Sequence, residues 1–67
     1  MLHLPDLTKP ELESIFELAN LSERETSLFW LRAKGVTHEE CAEILHLSVS
    51  TEKRTNKKML AKIMRVM

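Results

Sequence analysis

Residues 37–63 read THEECAEILHLSVSTEKRTNKKMLAKI, and this stretch decides the fold. Thr37, followed three residues later by Glu40, is a helix start of the capping-box type, in which the hydroxyl and the carboxylate satisfy each other's backbone N–H groups. Cys41, Ala42, Ile44 and Leu45 then recur at helical spacing, giving a short apolar stripe. His46-Leu47-Ser48 interrupts it, with His46 as a turn residue. Ser48 is positioned to cap a second helix. That helix carries Val49, Met59, Leu60 and Ile63 on one side and Lys53, Arg54, Lys57, Lys58 and Lys62 on the other. A short helix, a tight turn and a longer basic helix are the layout of a helix-turn-helix, whose second helix enters a DNA major groove.

The chain on either side extends the same pattern. Thr8, Pro10 and Glu11 open a helix expected over 8–20, with Leu12, Ile15, Phe16 and Ala19 as its apolar stripe. Asn20 can end it. Ser22 and Glu25 form another capping box, starting a helix over 22–34 that Gly35 stops in the left-handed conformation. Leu28, Leu31 and Ala33 are expected to face inward. Phe29 and Trp30 add apolar surface on further sides, which either the first helix or a second subunit must cover. The third and fourth helices are expected at 37–45 and 48–65. Residues 1–7 are expected as an extended arm, ordered where Leu2 and Leu4 find a groove. With few aromatics, one glycine and no strand signal, the expected fold is all-α: one small four-helix domain, residues 1–67, without a sheet.

Charge is segregated along the chain. Residues 1–52 hold all ten acidic groups and only Lys9, Arg24, Arg32 and Lys34 as bases; residues 53–67 hold six bases and no acid. The formal net charge of zero therefore conceals a strongly basic final helix, and phosphate binding responds to that local field. Other chemistries find little support. One cysteine excludes an internal disulfide and a cysteine-based zinc site. Cys41 falls on the inward stripe, where thiols are packing groups. His38 reads as an exposed helix residue, and neither it nor His46 has metal-ligand spacing. Glu39, Glu40 and Glu43 lack the pocket that acid–base catalysis needs. No nucleophile triad or phosphate-cradling loop is present, so no enzyme, cofactor or metal is expected. No apolar run is long enough to span a bilayer, and no signal peptide is visible.

The order of these residues resembles a known family. Leu21-Ser22-Glu23-Arg24-Glu25, Leu28, Leu31, Ala33, Gly35, Glu40, Ala42, Leu45, Ser48, Thr51, Lys53, Met59 and Lys62-Ile63 follow the pattern of LuxR/GerE-type helix-turn-helix domains over residues 21–63. Region four of primary sigma factors is similar over the same stretch. The helix at 8–20 lies outside the resemblance. The resemblance implies a transcriptional regulator that reads double-stranded DNA with residues 48–65. Base-reading positions then fall on Lys53, Arg54 and Lys57, with Ser50 near the groove floor. Thr51, Lys58 and Lys62 fall at phosphates. Specific reading by so short a helix makes a homodimer the expectation. The expected location is the cytoplasm of a bacterial or phage-type host, nucleoid-associated when bound to DNA.

Two departures bear on function. Glu52 stands where the family has an apolar core residue, so its carboxylate must find a partner, turn outward or protonate. Thr55 replaces a family histidine. Glu52 and the acidic first half support an alternative: an interaction module with a degenerate helix-turn-helix that binds RNA polymerase, a sigma factor or another regulator.

Overall fold

A computed structural model of the chain describes residues 3–67. It contains a single 3-10 turn, Leu4–Asp6, and four α-helices: α1 Lys9–Ala19, α2 Glu23–Ala33, α3 His38–Ile44 and α4 Val49–Val66. No strand occurs among the described residues. The all-α, four-helix expectation holds, with each boundary within a residue or so of its predicted place.

The helix starts follow from their caps. Thr8 Oγ1 accepts from the Glu11 backbone and the Glu11 carboxylate accepts from the Thr8 backbone. Ser22 and Glu25 make the same reciprocal pair. Thr37 caps α3 in one direction only, accepting from the Glu40 N–H at 3.2 Å. Ser48 caps α4 through the Thr51 N–H.

The stops are equally local. α2 ends in a Schellman motif: Gly35 N–H bonds to Arg32 C=O, Val36 N–H bonds to Leu31 C=O, and Gly35 sits at φ +84°. α3 ends the same way, with His46 N–H on Glu43 C=O and Leu47 N–H on Ala42 C=O. Here His46, at φ +57°, occupies the left-handed position that glycine takes most cheaply. The α3–α4 connection is thus a hydrogen-bonded turn of fixed shape.

α4 is the element on which α1, α2 and α3 all pack. Its inward arc is Glu52, Met59 and Ile63, all fully buried. Leu28 and Phe29 of α2, Cys41 of α3 and Leu12, Ile15 and Ala19 of α1 close the core around it. Trp30 is covered from within the chain. Its ring lies 5.5 Å from Phe16 of α1 and edge-on to Phe29 at 4.9 Å, so no second subunit is needed to shield it.

Four expectations change. Residues 4–6 form a 3-10 turn on α2 rather than an extended arm, with Leu4 buried; Leu2 lies outside the described residues. Ile44 is 53% exposed, because Cys41, Ala42 and Leu45 already fill the inward arc of so short a helix. Val49 is exposed at the first turn of α4. His38 is half-buried and engaged with α4.

Candidate nucleic-acid interface

α4 presents opposite faces of opposite character. At about 100° per residue, the arc facing away from Glu52, Met59 and Ile63 carries Ser50, Lys53, Arg54 and Lys57, and all four are exposed. Lys58 is exposed at the side of this face. These five predicted residues form one continuous surface over the first half of the 18-residue helix, roughly 12 Å long. Thr51 is half-buried, and its hydroxyl accepts a hydrogen bond from Ser48 Oγ at 2.9 Å. Thr55 is turned back on the helix and donates to the Thr51 carbonyl.

Lys62, expected at a phosphate, makes a contact within the chain. Its Nζ donates to Glu25 Oε1 at 2.7 Å, the same oxygen that accepts from the Ser22 N–H. Glu25 is buried, so Lys62 is drawn inward and ties α4 to the first turn of α2. Burial pushes the Glu25 carboxyl up. The Lys62 and Ser22 hydrogen bonds and the Lys62 charge outweigh this, leaving it below the ordinary carboxylate range.

The same α2–α4 contact supplies residues that the sequence reading missed. Arg24, in the first turn of α2, lines one shallow cleft with Thr51, Arg54, Thr55 and Lys58 of α4. The cleft therefore has three cationic side chains, two hydroxyls and no carboxylate, a composition suited to a phosphodiester. A wider groove beside it is lined by Ser22, Ser27, Lys58 and Lys62 with Glu23 and Glu25. Arg24 was visible as an isolated base in an acidic half. Only the packing of α2 on α4 brings it beside Arg54.

Behind this surface, Glu52 has found a partner. Both its carboxylate oxygens lie within hydrogen-bonding distance of His38 Nδ1, at 2.9 and 3.0 Å. The carboxylate is wholly inaccessible, whereas the imidazole is 31% exposed. His38 thus fastens α3 to the inner side of the basic helix. Cys41 is fully buried nearby, its thiol 3.8 Å from the Val36 carbonyl. Burial first, then the charge of Glu52, raises its pKa; Arg32 opposes this and Glu40 adds to it. Every buried side-chain polar atom among the described residues has a hydrogen-bond partner.

No group of three or more His, Cys, Asp or Glu side chains among the described residues is arranged to hold a metal ion. No helix among them is long and apolar enough to cross a membrane. Compared with family models, curated proteins and solved structures, the chain matches none.

Proposed function

We propose that this protein is a helix-turn-helix transcriptional regulator that binds double-stranded DNA, with α3 and α4 as the motif and α4 in the major groove. The observation that carries the reading is the exposed cationic face of Ser50, Lys53, Arg54, Lys57 and Lys58. That face is backed by a rigid turn and a fully satisfied core. A helix that places Lys and Arg along one open face can offer donors to guanine O6 and N7. Lys58 at the edge of this face and Arg24 beside it suit phosphates. The resemblance to LuxR/GerE-type and sigma region four domains points the same way.

The test is binding to genomic duplex fragments at two salt concentrations, followed by sequencing of the retained DNA. Arg54→Ala is expected to cost about 1–3 kcal/mol on the selected site and much less on random duplex. Equal loss on both would remove Arg54 from base reading. Absence of duplex binding even at low salt would favour the interaction-module reading, with RNA polymerase or another regulator as the partner.

A further inference from the structure

The cations of the α2–α4 cleft have no partner. Ion pairs among the described residues join His3 to Asp6, His38 to Glu52 and Lys62 to Glu25, and none reaches Arg24, Arg54 or Lys58. Yet these three line one cleft with Thr51 and Thr55. Thr51, Arg54, Thr55 and Lys58 stand at i, i+3, i+4 and i+7, a single stripe of α4, and Arg24 joins them from the first turn of α2. Like charges gathered in one place repel, and an anion held between them removes that cost.

Neighbouring acids leave them unpaired. The wider groove that shares Arg24, Thr55 and Lys58 has two carboxylates in its lining, Glu23 and Glu25. Glu25 is buried and committed to Lys62; Glu23 is exposed and makes no ion pair. The neutral groups add one donor. Ser48 Oγ gives its hydrogen to Thr51 Oγ1 at 2.9 Å, so the Thr51 hydroxyl keeps its own hydrogen free. Thr55 has already given its hydrogen to the Thr51 carbonyl. The cleft thus offers two guanidinium forks, an ammonium and a hydroxyl to an anion rich in acceptors.

Charge narrows the ligand. Each phosphodiester of a duplex strand brings a single negative charge, and a whole sugar separates it from the next. A diphosphate or triphosphate brings several charges on adjacent phosphate groups, a closer match to three cations in one cleft. Arginine grips phosphate oxygens through paired N–H donors, so Arg24 and Arg54 can each hold one phosphate group of such a chain. We propose that the α2–α4 cleft binds a free oligophosphate, inorganic or the phosphate tail of a nucleotide, through Arg24 and Arg54 with Lys58 and Thr51. The site does not rest on the DNA-binding reading, but it bears on it. The ligand takes Arg54 and Lys58, so under that reading a bound oligophosphate and a bound duplex exclude each other.

Isothermal titration of the full chain with inorganic pyrophosphate, with chelator present and ionic strength held constant, tests the site. One pyrophosphate per chain is expected, with orthophosphate at least about tenfold weaker. Arg24→Ala and Arg54→Ala are each expected to weaken pyrophosphate at least about tenfold, with circular dichroism to confirm that they stay folded. Lys9→Ala removes the same charge from an exposed position on α1 and is expected to leave the affinity unchanged. Inorganic triphosphate and a nucleoside triphosphate separate the two sources. A tighter nucleotide supports the site as a nucleotide site, and an equal or weaker one supports it as a site for the bare phosphate chain. No binding of pyrophosphate or of either triphosphate overturns the proposal, as does orthophosphate binding equally well. Lys9→Ala weakening pyrophosphate as much as Arg24→Ala overturns it too, since the attraction would then be diffuse. No DNA enters the titration. A chain that binds pyrophosphate but no duplex loses only the DNA-binding reading, and one that binds duplex but no oligophosphate loses only this proposal.

Discussion

Glu52 is the residue at which this core would fail without help. A carboxylate with no accessible surface is costly unless paired, and His38 supplies the pairing from the neighbouring helix. Removing either partner has unequal consequences. His38→Ala leaves the carboxylate buried without a partner and is expected to cost about 1–3 kcal/mol. Glu52→Val leaves an imidazole that already reaches water, so it is expected to cost less. The double variant His38→Ala/Glu52→Val is expected to be more stable than His38→Ala alone, since the stranded charge is gone. Urea denaturation of the four proteins reads this cycle; additive losses would show that the pair contributes nothing as a pair.

Among the elements, the turn between α3 and α4 carries a removable penalty. His46 holds a left-handed conformation that a side chain disfavours. His46→Gly is expected to stabilise the domain by up to about 1 kcal/mol, read as a higher urea midpoint at unchanged slope. The tie between α2 and α4 carries a pH signature. Because the Glu25 value in the folded chain lies below the ordinary carboxylate range, the tie is complete above that range. It is lost as pH falls through the folded value. Lys62→Met is expected to lower stability near neutrality and to flatten its decline on acidification. The helices themselves were legible in the sequence because their signals are local: hydroxyl caps at 8, 22, 37 and 48, and left-handed stops at 20, 35 and 46. The partnerships were not. Nothing in the linear order of Glu25 and Lys62, or of His38 and Glu52, says that they meet, because α4 acquires these neighbours only when the helices pack. The linear order consequently gave Lys62 no partner within the chain, made His38 an exposed helix residue and left Arg24 an isolated base.

Over the whole molecule, an acidic three-helix platform carries a basic fourth helix, so net charge is a poor guide to the field a ligand meets. Under the DNA-binding reading, exposed cations and tied cations should separate in their salt dependence. Arg24→Ala and Lys58→Ala are each expected to weaken specific and random duplex alike and to lower the salt slope by about one. Lys62→Ala should change the slope less, because its charge is already committed to Glu25. Fluorescence anisotropy across a salt series distinguishes the three. A full unit lost with Lys62→Ala would mean that the tie opens when DNA arrives.

Cys41 turns the α3–α4 contact into a clock. Its thiol is sealed from solvent, and its ionisation is held back by burial and by the Glu52 charge, so an alkylating reagent reaches it only in molecules that have opened. The labelling rate therefore counts openings without any introduced probe. It should quicken with His38→Ala in step with that variant's lost stability. Under the DNA-binding reading it should slow when a duplex occupies α4, because a ligand bound only to the closed form makes each opening rarer.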